Sequence, residues 1–225
     1  MSSQSLEAIY PYLEDSLQFQ LFSQTRLRGY TNTQEHEENL ALIASIAHKI
    51  GILEIILRNK IDSILSSNNA LWLESLPQEV SDHIEAKQDY SKDKVISSQS
   101  LGFWIKVVDH YRIHNQIIDI DFLDSVDFTK YFSKNRKTFK AKHNRLLRHH
   151  KAKAILWLFR LIRNRSFHFE NLYKIVGNGY PRLNIKITNK YNENIYIAIH
   201  PEKIKDFLND LLGSFHKDLV YYAEK

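Results

Sequence analysis

The sequence predicts a mainly α-helical fold closed by a late β-hairpin and a terminal helix. Three observations predict it. Gly and Pro number only 6 and 4 among 225 residues, too few chain breakers for a turn-rich β sandwich or barrel. Long segments carry apolar residues at three-and-four spacing, the mark of a helix with one buried face. Alternation of apolar and polar residues enters after residue 180, where it signals paired strands.

The elements follow in chain order. Residues 5–23 read as an entry segment and a short helix, and TRLRGYTNTQE as a loop containing Gly29, Asn32 and Thr33. A long helix is expected from about Glu37 to Ser66, its core face built from Leu42, Ile46, Ile50, Leu53, Ile56 or Leu57, and Ile61. SSNN at 66–69 ends it. A second helical stretch covers about 70–92 and is interrupted at Pro77. SSQS at 97–100 supplies an N-cap for a helix through LGFWIKVVDHYRIHNQI. Residues 119–135 are mixed and aromatic, and a third strong helix is expected from about Lys137 to Val176. Gly177, Gly179 and Pro181 then punctuate the chain. RLNIKIT and NIYIAI alternate around KYNE, a hairpin signal. The chain closes as an amphipathic helix starting near Pro201. Trp72, Trp104 and Trp157 are expected in the core. This suits a helical domain over 1–178, with the hairpin and last helix of 179–225 appended to it.

Composition narrows the function. Apolar residues make up 43% and charged residues 25%, enough to build a globular core. With no cysteine, disulfides, thiolate metal sites, Fe–S clusters and cysteine nucleophiles are excluded. The apolar run IGILEIIL is broken by Glu54 and AILWLF stops at Arg160. Both are short of the ~20 residues of a membrane span, and the start of the chain lacks the pattern of a signal peptide. A cytoplasmic protein without a membrane partner is expected. No glycine-rich phosphate loop is present, which argues against a nucleoside-triphosphate enzyme.

Charge is divided unevenly. Residues 1–100 carry a net −6 and residues 101–225 a net +11. Between Asp127 and Glu170 there is no acidic residue, but there are 13 Lys and Arg. Such a stretch repels itself unless a polyanion or the acidic half neutralises it. RNA or DNA phosphate is the simplest polyanion, with Lys134, Arg136, Lys137, Lys140, Lys142, Arg145 and Arg148 as contacts. Tyr131, Phe132 and Phe139 are interleaved and suited to stacking on unpaired bases. The competing reading is a solvated face packed against the acidic half.

The string LFRLIRNRSFHFENL at 158–172 gathers Arg163, Asn164, Arg165, His168 and Glu170 near a helix end. Arginine grips phosphate oxygens with a planar fork, and histidine exchanges protons near neutrality. RNA supplies its own 2′-hydroxyl nucleophile, so a proton-transfer group and a charge stabiliser suffice, without metal or cofactor. Asn164 and His168 share a helix face, but Arg163 is about 140° from His168 on an ideal helix. Convergence needs a wrapped arginine, a distorted helix or a second chain across a two-fold axis. Glu54 and Arg58 form an i,i+4 pair on an otherwise apolar helix; Glu54 either salt-bridges Arg58 or orients the cluster around Arg163. His110 and His114, with Asp109 nearby, are a minor metal-pair candidate. His149 and His150 project about 100° apart.

Arg163-Asn164-Arg165-Ser166-Phe167-His168 resembles the R-x(4–6)-H motif of the HEPN superfamily, helical proteins that include metal-independent endoribonucleases. Ser23–Tyr30 (SQTRLRGY), Leu53–Ile61 (LEIILRNKI) and Ser100–Lys106 (SLGFWIK) are similar, in the same order, to motifs of its Abi-like (abortive infection) branch. Members often continue the last motif as His-His-Glu, whereas here it reads His168-Phe169-Glu170. The resemblance spans about residues 20–175. It implies a HEPN-like helical bundle, a homodimer with both motifs at its interface, and RNA cleavage in antiviral defence or toxin action. The expected partners are RNA, a second copy of the chain, and an inhibitory RNA or protein. By carry-over, Arg163 stabilises phosphate charge, His168 handles the proton or positions the phosphate, and Asn164 is its polar neighbour. Glu54, Arg58, Asn59, Arg165 and Glu170 support them. The alternatives are a non-catalytic RNA-binding or scaffold module on the same fold, and a protein-interaction module.

Overall fold

The computed structural model describes residues 15–81, 91–138, 146–177 and 179–224. Its helices in chain order are α1 (Asp15–Phe22), α2 (Gln24–Leu27), α3 (Thr33–Asn68), α4 (Gln78–Ser81), α5 (Lys92–Ser98), α6 (Leu101–Tyr111), α7 (His114–Ile117), α8 (Ile120–Ser125), α9 (Asn135–Thr138), α10 (Arg148–Phe167), α11 (Ile204–Phe215) and α12 (Leu219–Tyr222). Strands β1 (Asn184–Thr188) and β2 (Asn194–Ala198) form one antiparallel hairpin. The fold is mainly helical with a small sheet.

Helix α3 starts four residues before its expected start, because the Asn32 side chain accepts a hydrogen bond from the Glu35 N–H at 2.8 Å. That is the work of an N-cap. Ile43, Ile46, Ile50, Leu53, Leu57, Ile61 and Leu65 are buried along it. The choice between Ile56 and Leu57 falls to Leu57, and Ile43 takes the core position expected for the half-buried Leu42. Each such side chain removed from water stabilises the fold by about 1.5–3 kcal/mol. By length and composition alone α3 also meets the threshold for a membrane span. Its most apolar window has a mean hydropathy of 2.0, so the expectation that no segment approaches that length does not hold for this helix.

Helix α10 is apolar over a broad arc, with Ala152, Ala154, Ile155, Leu156, Leu158, Phe159, Ile162 and Ser166 buried. It needs that breadth because it packs on α3, α6, α7, α8 and β1 at once. Ile185, Ile187, Ile195 and Ile197 of the hairpin and Phe207, Leu208, Leu211 and Leu212 of α11 belong to the same core as α3 and α10. The clamp between helical body and hairpin is Asn135, fully buried. It donates to Phe128 O at 2.8 Å and Ala198 O at 2.9 Å, and accepts from the Ala198 N–H at 3.1 Å.

Several expectations fail for local reasons. Residues 25–27, expected as loop, belong to α2. Residues 70–75 are turns rather than helix, α4 follows Pro77 over Gln78–Ser81, and residues 82–90 lie outside the described residues. Ser100 does cap α6, accepting from the Phe103 N–H at 3.2 Å. The expected continuous helix past it breaks at Arg112, whose φ of 55° is left-handed. Of the helix expected from Lys137 to Val176, residues 137–138 belong to α9, residues 139–145 lie outside the described residues, and α10 runs from Arg148. It stops at Phe167, and residues 168–176 are irregular. The terminal helix is likewise split into a 3₁₀ turn at Pro201–Lys203, α11 and α12. Trp72 and Trp104 are core, but Trp157 is 38% exposed between Lys153 and Arg160.

Candidate functional site: the end of α10

Arg163 lies four residues after Phe159 and seven after Leu156, both buried, so it projects toward the core side of α10. Its charge is met by Glu54 of α3. Arg163 Nε donates to Glu54 Oε2 at 3.0 Å and Nη2 to Oε1 at 3.4 Å. Arg58 Nη2 approaches the same carboxylate at 3.8 Å. Both open readings of Glu54 therefore hold: it pairs with Arg58 and orients Arg163. Asn164 Oδ1 accepts a long hydrogen bond from Arg163 Nη1 at 3.4 Å, and the guanidinium sits 5.3 Å from the exposed ring of Phe167. Asn59, next along α3, is exposed.

His168 is the C-cap of α10 and is exposed. Among the described residues its side chain makes no hydrogen bond with Arg163 or Asn164. It opens instead into a surface cleft of about 470 Å³, shared with Arg26, Tyr30, Phe169, Lys174 and Arg182. Arg163 is not among the residues that line this cleft, so within one chain the two motif residues face different surroundings.

The helix ends in a hydrogen-bonded wrap. The Glu170 N–H donates to Arg165 O and the Phe169 N–H to Ser166 O, both at 2.9 Å. This is the Schellman arrangement, with Phe169 in the left-handed position at φ 51°. The N-terminal segment then pins the loop. Arg26 Nη1 donates to Phe169 O at 2.9 Å, and Asn39 Nδ2 to Glu170 O at 3.2 Å. Asn39 Oδ1 accepts from the Leu172 N–H at 2.8 Å, and Asn171 Nδ2 donates to Gly29 O at 2.8 Å. The segment containing Ser23–Tyr30 thus docks on the one containing Arg163–His168. The third quoted string meets α10 higher up: a Cβ on Gly102 would come within 3.1 Å of the Arg160 guanidinium.

Glu170 is shared by two cations. Arg165 ion-pairs with it, and Arg182 Nη2 lies 2.5 Å from its Oε2. Burial, then the nearby Arg182, pull the Arg165 guanidinium below its ordinary pKa despite Glu170, and Arg165 Nε is buried without a hydrogen-bond partner. At Glu35, burial acts to raise the pKa, but hydrogen bonds from Thr31 and Asn171 hold the carboxyl below its ordinary value. Burial, reinforced by Arg26, holds the His36 imidazole low.

Part of the long basic segment is neutralised within the chain. Arg148 pairs with Asp124, Lys153 with Asp109 and Lys130 with Asp210. Lys134 Nζ donates to Gly179 O at 2.9 Å. Arg136 is exposed. Lys140, Lys142, Arg145 and Phe139 lie outside the described residues, and of Lys137 only the backbone is described. Tyr131, expected as a stacking ring, is buried and donates to Asp210 Oδ2 at 2.7 Å. Burial and that acid push its hydroxyl pKa far up. Phe132 packs on Tyr180 and His200. The break at Arg112 separates His110 from His114, whose Nε2 lies 2.8 Å from Asp109. Among the described residues, no three His, Asp or Glu are grouped as a metal site.

Sequence patterning missed Lys174 and Arg182 as cleft residues. Lys174 sat inside an expected helix, and Arg182 opened an expected strand. Arg26 and Tyr30 lay within a quoted string but had no assigned place. Comparison with known protein families, curated proteins and solved structures returned no match.

Proposed function

We propose that the chain is a metal-independent endoribonuclease of the HEPN, Abi-like type, acting as a homodimer in the cytoplasm in antiviral defence or as a toxin. The observation that carries this reading is the Glu54–Arg163 pair beside the end of α10, whose next turn delivers His168 into a cationic cleft. Glu54 fixes the fork of Arg163, and a fixed cation stabilises developing phosphate charge without reorganising. His168, exposed and close to solvent, is available to take the proton from a ribose 2′-hydroxyl or to give one to the leaving oxygen.

A second chain supplies the convergence that one chain lacks. Ile55 of α3 and Phe167 of α10 are 56% and 45% exposed, flanking Arg163. Closing this face on its symmetry mate would set the Arg163 of one chain near the His168 of the other. The test is cleavage of total RNA in the presence of EDTA. His168→Ala and Arg163→Ala are expected to lower the rate by at least about a hundredfold, and fragments are expected to end in 2′,3′-cyclic phosphate. Purified wild type that leaves every RNA intact would overturn the proposal.

The divergence of Arg163 and His168 within one chain favours a second reading, a non-catalytic RNA-binding module. It predicts salt-sensitive RNA binding that survives His168→Ala, with no cleavage by wild type.

A further inference from the structure

The αL residue at the end of α10 is a phenylalanine. Glycine is the ordinary occupant of this position, with asparagine next, because a Cβ is crowded there. The wrap needs only backbone groups from residue 169: its N–H reaches Ser166 O, and its carbonyl accepts from Arg26. Neither interaction uses the ring, which is 50% exposed. A second strained residue, Ser23 at φ 65°, lines the same cleft. Ser23 caps α2, its side chain accepting from the Arg26 N–H at 3.4 Å, whereas the left-handed backbone of Phe169 coincides with a half-exposed ring, and strain kept at a surface cleft points to a ligand.

The charges of the cleft say which ligand. Arg26, Lys174, Arg182 and His168 line it, with Glu170 as the one carboxylate in the lining, and Glu170 already answers both Arg165 and Arg182. Lys174 is exposed at the rim. An open groove rich in cations with a projecting aromatic ring is the pattern that binds single-stranded nucleic acid, phosphates on the cations and a base on the ring.

We infer that Phe169, Lys174 and Arg182 form a nucleotide subsite beside His168, in which Phe169 stacks on an unpaired base of the RNA and Lys174 and Arg182 hold an adjoining phosphate. This deepens the nuclease reading and rests on it for the identity of the substrate. It gives the enzyme a preference for single-stranded segments, because a base within a duplex cannot leave its stack to reach the ring without unpairing.

The test uses short single-stranded oligonucleotides with 2′-O-methyl riboses, which bind but cannot be cut. Wild type is expected to bind them, with affinity falling as salt rises. Phe169→Gly is expected to weaken binding about tenfold or more while raising the melting temperature, because glycine relieves the left-handed strain. Phe169→Trp should bind at least as well as wild type. Lys174→Glu should weaken binding and flatten its salt dependence. An oligonucleotide carrying 4-thiouridine should photocrosslink to the peptide spanning residues 166–174. Three results would overturn the subsite: no binding by wild type, equal binding by Phe169→Gly, or crosslinks confined to other segments. If no RNA is ever cut but Phe169→Gly still loses binding, the nuclease reading falls and the subsite stands. Cleavage with unchanged Phe169→Gly affinity has the reverse meaning.

Discussion

Glu54 illustrates how one carboxylate on an apolar helix is forced into a role. Surrounded by buried leucines and isoleucines of α3, it faces two guanidiniums, those of Arg58 and Arg163. Replacing it with Ala leaves both half-buried cations without their acceptor. We expect Glu54→Ala to cost about 1–3 kcal/mol in denaturant unfolding and also to abolish RNA cleavage, whereas Glu54→Asp should retain part of both. The buried histidine of α3 sets a pH limit. His36 is 1% exposed between Phe22 and Tyr30, and burial holds it neutral. The unfolded chain takes up a proton on this residue at a higher pH than the folded one does, so its stabilising effect is complete above the ordinary histidine pKa and fades as pH falls below it. The melting temperature should drop between pH 7.5 and pH 5.5, and His36→Phe should make that drop smaller. An unchanged drop in the variant would show that other groups cause it.

At the scale of elements, what the sequence reveals depends on periodicity. Helix α3 and the hairpin were legible because their patterns run over many residues: seven core positions at three-and-four spacing in one, strict alternation in the other. Breaks in regular structure were not. Arg112 and Phe169 adopt left-handed backbone where neither residue type announces it, so the expected helices overran α6 and α10. The Glu54–Arg163 contact spans 109 residues and left no local trace, so from spacing alone Glu54 could be placed only as a choice between partners. The positions of Lys174 and Arg182 depend on where α10 stops, and were lost with that boundary. Asn135 was equally invisible, a polar residue in an aromatic stretch, yet its side chain joins α9 to β2 through two hydrogen bonds with Ala198 and holds Phe128 O with a third. Asn135→Ala should lower stability by about 3 kcal/mol, since buried carbonyl and N–H groups lose their partners. Unfolding followed by tryptophan fluorescence and by far-ultraviolet dichroism would report it, and a loss below about 0.5 kcal/mol would show that water replaces the amide.

Part of the basic segment is answered by acids within the chain. Acids before Asp127 and after Glu170 reach back to the basic segment, so its apparent excess was only partly real. Among the described residues, Arg26, Lys174 and Arg182 gather at the cleft at the end of α10. RNA affinity should therefore respond more to Lys174→Glu than to Arg148→Glu, whose arginine already pairs with Asp124. Equal losses for the two would return the interface to the segment after Asp127. Association should depend on the face carrying Ile55 and Phe167. Ile55→Asp should convert a dimer to a monomer in sedimentation and stop cleavage, while wild type that sediments as a monomer at every concentration would rule this out. The cleft itself draws on Ser23 and Arg26 near one end of the chain and on Arg182 far along it. A chain that stops short of Arg182 therefore lacks one wall of this cleft, however completely its first helices have folded.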